Sequence, residues 1–166
     1  MRVQELAGDA AVAEMTDAIP HPYEDGMAEE WIAGLPAGRE AGTGLALAIC
    51  LKSDGPVIGA VSLGSIRAEH RCAVLGYWIG RPYWNKGYCT EATRALVEYG
   101  FRSLGLNRVQ AYHFEPNPAS GRVLAKIGMR REGVLRQHLL VRGRFQDLAA
   151  YAVLASEFAD ARPADG

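Results

Sequence analysis

The sequence predicts one α/β domain whose sheet has an antiparallel component, and three stretches point to it. Two apolar runs, Leu45 to Leu51 and Val57 to Leu63, flank the turn signal Ser53-Asp54-Gly55-Pro56 and read as a hairpin. A third run, Ala73 to Ile79, passes through a glycine-bearing turn into an amphipathic stretch lasting to about Leu104. Two closing runs, about Gln137 to Val141 and Leu148 to Leu154, meet at Arg142-Gly143-Arg144. No repeat or internal linker divides the chain, so residues 1–159 are read as one domain. The polar, proline-containing tail 160–166 is expected to fray.

The remaining elements follow in order. Residues 1 to about 18 carry a helical pattern, weakened at Gly8, and a loop from Pro20 to Tyr23 comes next. A short helix is predicted across Met27 to Ala33. In the long helix, Ala92, Ala95, Leu96 and Tyr99 form the expected buried stripe and Gly105 ends it. Val109 to Phe114 reads as a strand. Asn117 and Pro118 are the N-cap and first position of a helix that runs to Ile127 and stops at Gly128.

Bulk properties exclude several classes. A net charge of −1 gives no electrostatic reason to expect nucleic acid. The basic stretch Arg130, Arg131, Arg136, Arg142 and Arg144 is interrupted by Glu132 and Asp147, and reads as solvated strand and turn positions. Cys50, Cys72 and Cys89 show no paired spacing, which argues against a disulfide framework and a metal site. Without a signal peptide or a long apolar run, the expectation is a cytoplasmic protein that does not cross a membrane.

The chemistry is concentrated in Trp84-Asn85-Lys86-Gly87-Tyr88-Cys89-Thr90-Glu91-Ala92. Strand, short turn, helix: this order aims unpaired backbone N–H groups at one spot, where the helix dipole also favours an anion. Gly87 allows close backbone approach and Cys89 is small. A plain turn capped by Thr90 is the competing local reading. No P-loop or dinucleotide string is present. The stretch resembles the acyl-CoA pyrophosphate loop of the GNAT superfamily of N-acetyltransferases, Gln/Arg-x-x-Gly-x-Gly/Ala, with Trp84 and Cys89 as departures around Gly87. Leu75-Gly76-Tyr77-Trp78-Ile79, Asn117-Pro118-Ala119-Ser120, Lys126-Ile127-Gly128-Met129, Glu132-Gly133-Val134-Leu135-Arg136 and Ile19-Pro20-His21-Pro22-Tyr23 are similar to the branch that acetylates ribosomal-protein N-termini, the RimJ/RimL type.

That resemblance implies a mixed, mostly antiparallel sheet of six to seven strands flanked by helices. Because Met1 enters within the family's first helix, the first strand is missing, or the true start lies upstream. An exposed edge would then be covered or paired with a second copy in a homodimer. The implied reaction is acetyl transfer from acetyl-CoA to a primary amine by direct transfer. The acceptor is left open between a protein N-terminus and a small amine.

By the same resemblance, acetyl-CoA is held by Tyr77, Trp78, Ile79, Trp84, Asn85, Lys86, Gly87, Tyr88, Cys89, Thr90, Asn117 and Ser120. Ser120 is the residue expected to stabilise the departing thiolate, since the family's frequent Tyr is Leu124 here. The family's two carboxylate positions hold Val74 and Leu139. A water chain or a histidine must then serve as base, and His138, beside Leu139, is the choice. His113 reads as core, His70 as an exposed turn, and His21 and Tyr23 as acceptor-pocket lining. The lost carboxylates also keep open a non-catalytic acyl-CoA-binding module.

Overall fold

The computed structural model describes residues 2–52 and 55–160, with side chains to residue 158. Ser53 and Asp54 of the expected turn, and the tail beyond 160, lie outside the described residues.

The N-terminal segment corrects one expectation, since a single helix to residue 18 does not form. Helix α1 (Arg2–Ala7) closes where the Gly8 N–H bonds Gln4 O at 2.9 Å. Asp9 then takes an extended conformation and caps α2 (Ala10–Ala13), accepting from the Ala11 N–H at 2.9 Å. Helix α3 (Met27–Glu40) is longer than expected and runs through Pro36. Proline there removes one backbone donor, a loss tolerated beside exposed Ile32.

Strands β1 (Leu45–Cys50) and β2 (Val57–Arg67) form the expected hairpin, and β3 (Cys72–Ile79) pairs antiparallel to β2. Helix α4 (Tyr88–Arg102) follows, then β4 (Arg108–Phe114) and α5 (Pro118–Lys126). Strands β5 (Arg130–Val141) and β6 (Arg144–Leu154) come last, before α6 (Ala155–Asp160). β5 starts well before Gln137 because register shifts after Arg131 and Leu135 hide its alternation. Its basic residues are exposed; Arg130 pairs Glu157 at 2.9 Å and Arg131 pairs Glu115.

The six strands lie in the order β1-β2-β3-β4-β6-β5, with β3 and β4 the parallel pair. β1 is an edge strand, and its Leu47 is 46% exposed. One face packs Leu96 and Val97 of α4 and Leu124 of α5 against Leu75, Val109 and Ala111. On the other face Ala7, Val12, Ala13 and Ile19 pack with Trp78 and Trp84.

The buried stripe of α4 is rotated from the expected one. Thr93, Leu96, Val97 and Gly100 face the core, whereas Ala95 and Tyr99 are exposed. Thr93 escapes an apolar pattern because its hydroxyl donates back to Cys89 O at 2.7 Å, so burial leaves no polar group unmet.

Candidate active site

The site begins where two parallel strands part. β3 and β4 are in register from Cys72 with Arg108 to Leu75 with Ala111, and no further. The next residues on the same face of each strand are Tyr77 and His113, so these two stand at the fork. Beyond it opens a cleft of about 1360 Å³. Gly80 N–H donates to Ile58 O at 2.8 Å, which turns the backbone of Gly80 and Trp78 towards β2. Alternation along the strand turns the peptide groups of Tyr77 and Ile79 towards the gap. Ile79 O is taken at 2.8 Å by the Trp84 indole N–H, so this departure from the family loop ties the loop to the strand.

The loop ends at Gly87, the N-cap of α4, with φ +83° and no side chain capping the helix. Only glycine adopts that conformation without strain, and Asn85 precedes it at φ +59°. Thr90 does not cap the helix; it stands inside it. The N–H groups of the first turn therefore face the cleft, an arrangement that suits a diphosphate. Lys86 adds a cation, its Nζ 5.8 Å from the Tyr83 ring centre. Burial pushes the Cys89 thiol up to about 12, so it stays protonated and is no nucleophile.

Across the gap, Asn117 caps α5 and its Oδ1 accepts from the Ser120 N–H at 3.2 Å, which leaves the amide NH₂ for the cleft. Ser120 Oγ lies 2.6 Å from the Tyr77 hydroxyl, and that hydroxyl also donates to Ser120 O at 3.2 Å. Burial raises the Tyr77 phenol well above its usual range, against the lowering effect of the Ser120 hydrogen bond. Tyr77 is thus a neutral hydroxyl donor, a side-chain role that reading its backbone alone had missed.

All twelve residues expected to hold the cofactor line this cleft, and so does Tyr23. Burial, and then the charge of Glu29, raise the Tyr23 phenol. Two expected residues do not join them. His138 is exposed on β5 and outside the cleft lining, because the register shift between Leu135 and Leu139 turns Leu139 inward instead. The reading of His138 as base is corrected accordingly. His21 is exposed and lines a separate, smaller hollow with Leu140 and Arg142.

Val74 and Leu139 do line the cleft, so its wall is apolar where the family places carboxylates. The carboxylates lining it are Asp17 and Glu30, which nothing in their sequence neighbourhood distinguished from surface residues. Among the described residues no group of His, Cys, Asp and Glu is arranged to hold a metal ion. Nor is any described helix long and apolar enough to cross a membrane.

A forked parallel pair with an uncapped helix start beside it is the feature that sets this α/β fold apart. Residues 1–130 match the model of the acetyltransferase (GNAT) domain, and the chain belongs to that family. An uncharacterized N-acetyltransferase, p20 of Bacillus licheniformis, is 36% identical over 111 residues, covering 67% of this chain and 62% of that protein. The [ribosomal protein uS5]-alanine N-acetyltransferase of Escherichia coli is 29% identical over 107 residues, 64% of this chain and 55% of that one. The chain thus spans less than two thirds of the length of either relative. Among solved structures, Mycobacterium smegmatis RimJ in complex with CoA-disulfide superposes with a TM-score of 0.80 at 25% identity, covering 94% of this chain and 76% of that one.

Proposed function

We propose that this chain is an acetyl-CoA-dependent N-acetyltransferase, cytoplasmic in setting, that passes an acetyl group to a primary amine by direct transfer in a ternary complex. The observation that carries this reading is the Tyr77–Ser120 hydroxyl pair, 2.6 Å apart in the same cleft as the uncapped start of α4. Acetyl-CoA supplies the activated acyl group and a thiol leaving group. The open N–H groups at the start of α4, with Lys86, hold its diphosphate. The peptide groups of Tyr77 and Ile79 pair with the pantetheine arm along the fork, and an N–H in this run polarises the acyl carbonyl. The Asn117 amide reaches the arm from the other strand.

Tyr77 and Ser120 manage the sulfur. At rest Ser120 donates to Tyr77 while Tyr77 donates to Ser120 O. As negative charge builds on sulfur, Ser120 turns its hydrogen to it and Tyr77 donates to Ser120 Oγ instead. Neither hydroxyl is stranded in either arrangement. The acceptor enters past Tyr23, on the α1–α2 side, and sheds its proton to water near Asp17 and Glu30. The family membership and the E. coli relative's name support an amine, either a protein N-terminus or a small molecule.

Ser120→Ala is the test. A hydrogen bond that strengthens only as sulfur becomes anionic belongs to the transition state, so kcat and kcat/KM should fall together by roughly ten- to a hundredfold. The KM for acetyl-CoA should stay put, and unchanged kinetics would remove Ser120 from the mechanism. The apolar Val74 and Leu139 favour one rival, an acyl-CoA-binding module without turnover. Calorimetric CoA binding with no thiol release on any of a panel of amines and N-terminal peptides would decide for it.

A further inference from the structure

Helix α3 carries an apolar stripe that the core does not use. Met27, Glu30, Trp31, Gly34 and Leu35 fall at i, i+3, i+4, i+7 and i+8, the spacing of one helix face, and all five line the cleft. A surface helix ordinarily spends such a face on the core. Of the described residues of α3 only Ala28 is buried, and none joins either core cluster. Trp31 is left 39% exposed. Glycine within a helix is unfavourable, and no neighbour requires it here: a Cβ built on Gly34 meets nothing within 4 Å. What Gly34 provides is a hollow on the cleft side, one turn from Glu30 and Trp31.

The charges along the cleft are segregated. Among the described residues its carboxylates are Asp17 and Glu30, while its cations, Lys86, Arg122 and Lys126, come from α5 and the loop before α4. Between Arg2 and Arg39 the sequence carries eight acidic residues, Glu5 to Glu30, and neither lysine nor arginine. That run reads as solvated surface until the fold turns two of its members into the cleft. Neither Asp17 nor Glu30 is in an ion pair among the described residues. The cationic end suits the phosphates of an acyl donor, and the anionic end attracts a cation.

Glu30 does not suit the attacking nitrogen itself. A carboxylate against an amine holds it as ammonium, which has no lone pair. Glu30 is also exposed at the mouth, whereas Tyr77 and Ser120 are half-buried at the fork. The cation that Glu30 meets is therefore a second one, a stem's length from the reacting amine. We propose that α3 selects the acceptor: Met27, Trp31 and Leu35 seat the apolar stem of a primary amine in the hollow at Gly34, and Glu30 pairs with a second cationic group on that stem. The Trp31 ring serves both parts, because its face attracts cations and covers methylene groups. This rests on the acetyl transfer assigned to the cleft above, and it narrows the acceptor to amines that carry an additional positive charge. An alkyl diamine has that chemistry, and so has a peptide N-terminus followed by lysine.

Matched acceptors test it: hexylamine against hexamethylenediamine, and a peptide beginning Ala-Leu against one beginning Ala-Lys. In the wild type kcat/KM should favour the doubly charged member of at least one pair by roughly fivefold or more, and added salt should shrink the advantage. A preference for the diamine alone means a small molecule, and one for the lysine peptide alone means a protein N-terminus. Glu30→Gln should cut the preference about threefold, the size expected of one exposed charge pair. Gly34→Leu should keep or raise the melting temperature, since leucine is the better helix former. It should nevertheless raise the KM for the amine roughly tenfold, with the KM for acetyl-CoA within about twofold. No preference in either pair, a preference that survives Glu30→Gln intact, or a wild-type amine KM in Gly34→Leu overturns the proposal. Calorimetry with the same four acceptors on the CoA-loaded protein separates the two levels. Tighter binding of a doubly charged member without turnover of any acceptor refutes acetyl transfer and upholds selection by α3. Turnover without charge preference refutes the selection alone, and neither binding nor turnover refutes both.

Discussion

At the scale of the residue, the site is governed by which side chains burial keeps neutral. Cys89 stands in the loop where the family has Gly or Ala and reads from sequence as a small side chain, though a cysteine there could be mistaken for a nucleophile. Its surroundings decide against a nucleophile, because burial pushes the thiol from its usual 9.0 up to about 12. The same shift has a consequence for stability. A thiol harder to ionise in the folded chain contributes stability that is whole below about pH 9 and lost as pH rises towards 12, because the unfolded chain releases its proton first. The melting temperature should therefore fall over that range, and Cys89→Ala should flatten the fall while keeping acetyl transfer; equal falls in both proteins would refute it. Much at this scale was legible, since Asn117, Ser120 and the loop residues reach the cleft where the motifs put them. Asp17 and Glu30 were not, because only the folded path of the N-terminal segment and α3 brings them to the cleft. His138 misled because a bulge reverses which neighbour faces inward, and a bulge leaves no mark in the hydrophobic pattern.

At the scale of the element, Gly87 shows how local geometry would make the diphosphate site proposed above. Its φ of +83° starts α4 without a side-chain cap, so the helix keeps its first N–H groups for a ligand. Gly87→Val sets a β-branched residue in that conformation, at about 1–3 kcal/mol of strain. The loop should relax out of the cradle, and calorimetry should show CoA affinity weakened by at least about tenfold with the melting transition still cooperative. Wild-type affinity would mean that the diphosphate sits elsewhere. β1 to β4, α5 and its caps were legible because alternation, Asn-Pro and a following glycine each have one local meaning, whereas the register shifts of β5 hid its first half. The stripe of α4 was not: Thr93 is polar by composition, yet it satisfies its own hydroxyl within the helix and so can be buried. α1 and α2 were read as one helix because the pattern continues across Gly8, where Asp9 restarts it.

At the scale of the whole molecule, the sheet divides the labour. α4 and α5 cover one face, while α1, α2 and the loop to Tyr23 cover the other. The fork after Leu75 and Ala111 is where the faces communicate, through one continuous cleft. Arg142 closes the acceptor side, its Nη2 donating to Ile19 O at 2.8 Å and Ala13 O at 3.0 Å, so the β5–β6 hairpin is fastened to the N-terminal segment. On the reading proposed above, two substrates arriving from opposite faces of one sheet would be present together, and the reaction would need no residue to carry the acetyl group between them. Nor do the described residues supply such a carrier, since burial holds the Cys89 thiol protonated and no base among them is hydrogen-bonded to it. Initial-velocity measurements should therefore give intersecting double-reciprocal lines when acetyl-CoA and the amine are varied. No acetylated protein should accumulate by mass spectrometry when the amine is withheld. Parallel lines together with a 42-Da adduct on Cys89, roughly the mass of one added acetyl group, would mean a covalent route and overturn direct transfer.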